Sequence, residues 1–521
     1  MRILRVPTDF RVVEQFDEAM LTRKGDYLVY SVSTKGMTTA EAAERLARAA
    51  KVDSEAVTAA ALKPKEGVAG QVFTILRGEP LSMRGTEFVA RRLGVSDRPV
   101  EAGDITGNAY EIVVRDLRGD DMRRMRHNMA QVKQTGMPNY FDDQRFGCLR
   151  HGQGYIVRDV LRGSYEQALK SALAAPSPYG AEAVERYKRQ MREHWGDWPK
   201  LVALANGRRG KSAFEHLAAN EGDFLGALRF GLSSRERTMH LYAYQSHLFN
   251  RALAAKVRSL VEGEALAWLP CDEGSLPVWR ELNAFEVARL EAGTLTLPGP
   301  GMEEDEEAMR LYGPVFESEG ISIEQFCSLD LPGFRPIAEA RPLLMQPEYL
   351  RAAPAQDDEF YPRSKKMRVR FTLPRGQYPT LVLKRLLMPT ESGSKRLCMW
   401  VSRHPLVWPM DDGTPQVFER RPQEERLSYR RAQEGGDGPR DGAWGRARRD
   451  DRKPGGGDRR PARPSRPARR PFERDDRRRD DRQRDRGPRE DGDRAWGRNR
   501  RDDRRDGGSR EPRRSPWGDR E

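Results

Sequence analysis

Residues 137–147 have the sequence MPNYFDDQRFG, and this segment decides how the rest of the chain is interpreted. It places aromatic residues, an amide and an arginine in a loop that follows a basic, amphipathic stretch at residues 119–135. Aromatic rings can stack on an extruded base, an amide can hydrogen-bond to the base edge, and a guanidinium can hold a phosphate. The loop therefore predicts nucleic-acid binding through Asn139, Arg145 and a stacking ring, either Phe141 or Tyr140. The alternative is a structural turn whose aromatic rings belong to the core.

Strand and helix patterns alternate around this loop without regular βαβ spacing, which is typical of an α+β fold with a mixed sheet. Strands are predicted at 10–14, 26–33, 71–77, 109–115, 367–373 and near 397–402. Helices are predicted from a capping box at Thr38–Glu41 to about residue 50, briefly from Asp53, and at 119–135, around 236–262 and at 379–388.

Strand patterns return late in the chain, so we expect the first sheet to be completed there. This predicts one domain formed by residues 1–150 and 346–420, with residues 151–345 inserted as a mostly helical lobe. After about residue 420, Arg, Asp, Gly and Pro dominate and large aliphatic residues nearly vanish. Such a segment cannot bury enough apolar surface to offset its conformational entropy, so residues 421–521 are predicted to be a disordered tail.

The tail also carries most of the excess positive charge. Residues 421–521 contain 34 Lys and Arg against 23 Asp and Glu, which accounts for +11 of the formal net charge of +14. The decapeptide AWGRARRDDR at 443–452 recurs as AWGRNRRDDR at 495–504. Arginine interleaved with tryptophan suits weak, sequence-tolerant RNA contact. A solubilising tail of mixed charge is the alternative.

Several protein classes do not fit the composition. The four cysteines, at 148, 271, 327 and 398, are far apart and form no CxxC pair, so neither a disulfide framework nor a zinc site is predicted. The first residues contain no apolar stretch of signal-peptide length, and no run of about 18 apolar residues occurs. We therefore expect a cytoplasmic monomer with no metal and no membrane contact.

Six segments, in order along the chain, carry a family resemblance. They are PTDFRVVE at 7–14, KGMTT at 35–39, GNAY at 107–110, MPNYFDDQRFG at 137–147, YQSHLFN at 244–250 and LPRGQYPT at 373–380. The chain thereby resembles the TruD-type tRNA pseudouridine synthases over about residues 5–390. The resemblance implies a pseudouridine synthase-like catalytic domain interrupted by a TruD-specific lobe. It also implies a structured RNA partner, tRNA, and isomerisation of uridine to pseudouridine without a metal or another cofactor.

The resemblance also identifies a departure at the residue on which the chemistry depends. The family's catalytic aspartate lies in a G-L-K-D segment, and the matching residues here are Ala61, Leu62, Lys63 and Pro64. Proline has no carboxylate, and its fixed φ and missing N–H also reshape a loop. Glu66, Asp142 and Asp143 are the residues that could supply a substitute carboxylate, with Asp142 at a position where the family usually has glycine.

Two hypotheses follow for function. One is an enzyme that makes pseudouridine in tRNA with a displaced carboxylate, and the other is a catalytically inactive protein that binds or folds RNA. Both place the flipped uridine in a pocket of Asn139, Phe141 and Tyr378, with Lys63 beside it and Arg145 on a phosphate. A third possibility is that the tail alone binds RNA.

Overall fold

The computed structural model of the protein describes residues 2–63, 65–149, 154–176, 181–261, 263–271, 274–331 and 333–388, with the backbone of two short strands at 408–409 and 415–416. The predicted strand near 397–402 and the predicted disorder of 421–521 lie outside these residues, as does Pro64.

The strands are β1 Phe10–Phe16, β2 Tyr27–Lys35, β3 Val57–Ala59, β4 Val68–Leu76, β5 Phe88–Ser96, β6 Ile105–Leu117, β7 Met137–Pro138, β8 Leu266–Cys271, β9 Gly274–Trp279, β10 Thr294–Thr296, β11 Ala340–Pro342, β12 Leu344–Met345, β13 Glu348–Ala352, β14 Gln356–Asp357, β15 Lys365–Pro374, β16 Trp408–Pro409 and β17 Pro415–Gln416.

The helices are α1 Thr39–Ala50, α2 Gly119–Thr135, α3 Ile156–Leu161, α4 Tyr165–Ala174, α5 Glu182–Glu193, α6 Trp198–Leu204, α7 Lys211–Ala219, α8 Phe224–Gly231, α9 Ser234–Leu260, α10 Ala284–Glu291, α11 Glu306–Glu319, α12 Ile323–Cys327 and α13 Pro379–Leu387. None of these helices is both long enough and apolar enough to cross a membrane.

The main sheet has the order β13-β15-β6-β1-β4-β2-β5, with β14 beside β15 and β3 beside β4. β1 and β4 are parallel, and the other neighbours are antiparallel. The mixed sheet confirms the predicted α+β class. β15 pairs with β6, a strand that lies about 250 residues earlier in the chain. The division into a catalytic domain and an inserted lobe remains a prediction.

Most predicted elements lie where the sequence pattern places them. Thr38 caps α1, because its hydroxyl accepts a hydrogen bond from Glu41 N at 3.2 Å while the Glu41 carboxylate accepts one from Thr38 N at 2.7 Å. The predicted capping box is therefore confirmed. The short helix predicted from Asp53 is confirmed only in part, since Asp53 is the N-cap residue of a 3₁₀ helix rather than an α-helix. A single 3₁₀ turn at Ser54–Ala56 occurs there, because the next residues pair with β4 as β3.

The apolar core is continuous from one part of the sheet into the helices. Buried residues of β6 and β15, such as Ile112 and Phe371, belong to the same cluster as Leu381 of α13 and Tyr244 of α9. A separate, smaller cluster lies between α1 and the β2–β4 part of the sheet. The larger cluster is important for function because the loop at 137–147 is embedded in it.

Replacing Thr38 with alanine should lower the free energy of unfolding by about 1 kcal/mol, because alanine cannot cap the first turn of α1. Chemical denaturation of the full-length protein measures the change. Thr8→Ala, at an exposed position, is the control and should shift stability by less than about 0.5 kcal/mol. Equal losses in both variants would contradict the role assigned to the cap.

Candidate functional site

Lys63 lies in a buried polar cluster on the sheet. Its ammonium is 3.1 Å from Glu14 Oε1, and the two side chains are only 11% and 0% exposed. It also donates a hydrogen bond of 2.7 Å to Asn108 Oδ1. Glu14 on β1 lies directly opposite Asn108 on β6, so the strand register places both partners under the lysine. A buried charge needs such a partner, and Lys63 and Glu14 compensate each other.

The backbone on either side of Leu62 is fixed by side chains of α1 and β4. Thr39 Oγ1 accepts a hydrogen bond from Lys63 N and donates one to Gln71 Oε1, each 2.9 Å long. The Gln71 amide in turn donates to the carbonyl oxygen of Ala61 at 2.7 Å. These bonds fix the main chain of residues 61–63. The next residue in the sequence, Pro64, stands where the family resemblance implies a catalytic aspartate.

The loop at 137–147 is held by Arg341, the middle residue of β11. The Arg341 guanidinium donates to the carbonyl oxygen of Asn139 at 3.1 Å and to its side-chain Oδ1 at 2.8 Å. The Asn139 amide nitrogen donates to Pro342 O at 2.9 Å. Both ends of the Asn139 side chain are therefore engaged within the protein. Its predicted contact with a base edge stays a prediction and would require these bonds to be exchanged.

Phe141 is buried and enclosed by rings and guanidinium groups. Its centroid is 5.5 Å from that of Phe249 and 6.0 Å from that of Tyr378, both in edge-to-face geometry. The guanidinium carbons of Arg341 and Arg145 lie 4.1 and 5.1 Å from the Phe141 centroid. Cations over an aromatic face are favourable and become more so away from water. The structure thus brings Phe141, Tyr378 and Arg145 together.

The main chain at Phe141 is also held by helix α9. Asn250 accepts a hydrogen bond from Phe141 N and donates one to Phe141 O, each 2.8 Å long. Neighbouring Tyr140 is fully buried, and its hydroxyl donates to Pro277 O at 2.8 Å. Tyr140 therefore belongs to the core, whereas Tyr378 and Arg145 are half-buried beside the Phe141 ring.

Tyr378 is the N-cap residue of α13, and its side chain remains largely shielded from water. Burial raises the pKa of the Tyr378 phenol, although the charges of Arg145 and Arg341 and a hydrogen bond with Arg145 act in the opposite direction. The phenol is consequently neutral at physiological pH. It can present a ring face to a base and a hydroxyl to a polar group.

Asp142 and Asp143 face a different partner. The buried ammonium of Lys384 lies 2.5 Å from Asp142 Oδ1 and 2.6 Å from Asp143 Oδ2, and the Thr380 hydroxyl donates to Asp142 as well. Cys271 Sγ is 3.6 Å from the same ammonium. Burial lowers the pKa of Lys384, but the two aspartates outweigh it and hold that pKa well above its usual value. Burial raises the pKa of the Cys271 thiol.

The same cluster has the composition of a metal site. Ligand atoms of Asp142, Asp143 and Cys271 lie within 4.8 Å of one another. The Lys384 ammonium is, however, within contact distance of all three, so it already supplies the positive charge that a metal ion would bring. The cluster is best described as a buried ion network that joins the 137–147 loop to α13.

The three carboxylates proposed from the sequence as substitutes for the aspartate therefore lie in different surroundings. Glu66 is exposed, and Asp142 and Asp143 pair with Lys384. Among the described residues, the carboxylate that pairs with Lys63 is Glu14. The catalytic roles predicted for Glu66, Asp142 and Asp143 stay predictions.

Sequence reasoning missed Glu14, Asn108, Asn250, Arg341 and Lys384. The first three lie within segments that carry the family resemblance, and their polar character next to apolar strand or helix residues was a usable signal. Arg341 and Lys384 offered none, because their partners are more than 200 residues away in the chain.

Comparisons with known proteins identify the family of the chain. The family model described as "tRNA pseudouridine synthase D (TruD)" matches residues 1–386. The chain is 27% identical over 399 residues to tRNA pseudouridine synthase D of Aquifex aeolicus, with 74% of this chain and 98% of the relative covered. It is 28% identical over 403 residues to the protein of the same name from Geobacter metallireducens, with 74% and 94% covered. A crystal structure assigned to tRNA pseudouridine synthase D from Methanosarcina mazei shares the fold, with a TM-score of 0.58, 22% identity and 74% and 93% coverage.

Replacing Lys384 with methionine should cost about 3–5 kcal/mol of folding free energy, because two neighbouring buried carboxylates lose their cation. The carboxylates of this variant should bind protons more tightly in the folded state than in the unfolded state. Its stability should then fall as pH rises, so the deficit against the wild type should shrink when pH is lowered from about 7 to 5. Thermal melting at several pH values measures both effects.

The matched control is Lys365→Met, which removes an exposed ion pair with Asp357. That variant should lose less than about 1 kcal/mol and show no such pH trend. A Lys384→Met protein as stable as the control would show that the buried network contributes little.

Proposed function

Because the chain belongs to the tRNA pseudouridine synthase D (TruD) family, we propose that it binds tRNA at the Phe141 loop but has lost most or all uridine isomerisation. The observation that carries this proposal is Pro64, which stands at the position of the family's catalytic aspartate.

Binding is assigned to groups with suitable chemistry. A flipped uracil needs a ring to stack on, and the half-buried ring of Tyr378 can supply it, with the buried ring of Phe141 packed behind it. Arg145 is half-buried beside them and can hold a flanking phosphate. Lys63 contributes a positive charge near the end of the 61–63 segment, balanced by Glu14.

Catalysis is assigned to none of the available carboxylates. Isomerisation must break the bond between uracil nitrogen and ribose and rejoin the base through carbon, which requires a group acting as nucleophile or proton acceptor. Such a group must be placed to within a fraction of an ångström. Asp142 and Asp143 are occupied by Lys384, and Glu66 is exposed. Glu14 also accepts a hydrogen bond of 2.9 Å from Val72 N and is fully buried.

An active enzyme is the second candidate, and one observation favours it. Glu14 places a carboxylate 3.1 Å from Lys63, so negative charge has not been removed from this part of the site. If the ion pair opened when RNA bound, Glu14 could take part in the reaction.

The decisive assay uses unmodified tRNA transcripts that carry tritium on uracil carbon 5, because rejoining the base through that carbon releases the label. We expect no release above background from the wild-type protein together with salt-sensitive tRNA binding. Pro64→Asp should restore release, at a rate about a thousandfold or more above the wild type. Pro64→Asn is the matched control, since it relieves the proline backbone without adding a carboxylate.

Release by the wild-type protein would overturn the proposed loss of activity. Its disappearance in Glu14→Gln, Glu66→Gln or Asp142→Asn, with tRNA binding retained, would then identify the acting carboxylate. The remaining possibility, that the tail alone binds RNA, would require all tRNA affinity to vanish when residues 421–521 are deleted. We expect the shortened chain to keep salt-sensitive binding.

A further inference from the structure

A second cluster of charged side chains surrounds Glu319, the last residue of α11. Its carboxylate lies 3.2 Å from Arg251 Nη1, 3.2 Å from His247 Nε2 and 3.6 Å from Arg158 Nη1. Arg162 also donates to the backbone oxygen of Glu319. These five residues, from α3, α9 and α11 and the residue after α3, are called the Glu319 cluster below.

The position of Glu319 explains why it needs cations. A carboxylate at the C-terminal end of a helix meets the negative end of the helix dipole, which disfavours its charge. Burial also opposes ionisation, but the hydrogen bond and charge of His247 and the charges of Arg158 and Arg251 outweigh it, and the pKa of Glu319 is lowered to about 2. Glu319 therefore stays negative and orients the arginines around it.

The cluster contains more positive charge than is needed to balance the carboxylate of Glu319. Among the residues that the structure describes, Arg158, Arg162 and Arg251 contact Glu319, and the carboxylate of Asp159 also interacts with Arg158 and Arg162. Burial raises the pKa of Asp159, while Arg158 and Arg162 act to lower it. Even with Asp159 ionised and His247 neutral, one positive charge is in excess.

The surplus charge is accessible from solvent. The side chains of Arg158 and Arg251 are 30% and 45% exposed, whereas that of Glu319 is only 6% exposed. Partly exposed guanidinium groups are the typical protein ligand of a phosphate group.

Helix α9 connects this cluster to the Phe141 loop. His247 and Arg251 face Glu319, while Asn250, between them in sequence, holds the main chain of Phe141 through two hydrogen bonds. Residues three or four apart on a helix have Cβ atoms about 5–6 Å apart, so the cluster begins within one helical turn of the Asn250 contact. If a nucleotide of RNA lies at the Phe141 loop, as the proposed function has it, a neighbouring phosphate could reach this part of α9.

We propose that the Glu319 cluster is a binding site for a backbone phosphate of RNA, contacted by Arg158 and Arg251 and organised by Glu319. This site rests on the proposed function, because the ligand is the same RNA. The alternative is an ion network that only joins the three helices.

The test measures the affinity of full-length protein for an unmodified tRNA transcript across a series of salt concentrations. Arg251→Ala and Arg158→Ala should each weaken binding about tenfold at low salt, the usual size of a lost charge-assisted contact. The double variant should reduce the slope of log Kd against log salt concentration by about 0.7–0.9 for each phosphate contact that is lost. Arg251→Lys should retain most of the slope, because it preserves the charge.

Arg310→Ala is the matched control, since Arg310 is exposed on the same helix as Glu319 and pairs with Glu307. It should leave both affinity and slope unchanged. An unchanged slope in the double variant, with wild-type binding intact, would overturn the phosphate site and assign the cluster a structural role. Absence of salt-sensitive binding by the wild-type protein would instead overturn the proposed function, and this site with it.

Discussion

The buried guanidinium of Arg341 is the contact on which the candidate site depends. It hydrogen-bonds to the main chain of Asn139 and Tyr140 and to Gly376 O, and it lies 4.1 Å from the centroid of Phe141. Burial lowers the pKa of Arg341 to about 10, which still leaves it charged at neutral pH. One side chain thus fixes the position of the aromatic loop relative to the segment that leads into Tyr378. Because carbonyl groups satisfy its donors, Arg341 needs no carboxylate partner near the place where RNA would bring negative charge.

The other charged clusters are of two kinds, which differ in whether their charges are balanced and whether solvent reaches them. Lys63 with Glu14, and Lys384 with its two aspartates, are enclosed groups whose opposite charges meet at short distance. Such groups are costly to break and hold segments together, and their charge is already balanced by a partner. The arginines around Glu319 exceed the carboxylates they face and remain partly exposed. Surplus charge with solvent access is what an anionic polymer can use.

Local sequence patterns predicted much of the fold and only part of the site. The Thr38 cap and the strands at 10–16 and 365–374 follow from spacing and side-chain type, which act within a few residues. The sequence also placed Phe141 and Tyr378 in one pocket through family resemblance, and the rings are in contact. The Asp142 side chain shows what local sequence patterns do not predict. From the sequence, its carboxylate could face either side of the loop, and only the packing of α13 against that loop turns it toward Lys384. Tertiary contacts across more than 200 residues leave no local pattern to read.

The same reasoning explains how the chain can lose an aspartate and keep the fold around it. The bonds that hold residues 61–63 involve the backbone of Ala61 and Lys63 and the side chains of Thr39 and Gln71. None of them uses a side chain at position 64, and the Lys63 ammonium finds its counter-charge in Glu14 rather than in its neighbour. If the chain binds tRNA as proposed, these bonds and the contacts of Phe141 with Asn250 do not depend on an aspartate side chain after Lys63. The proposed function therefore treats RNA binding and catalysis as separable properties.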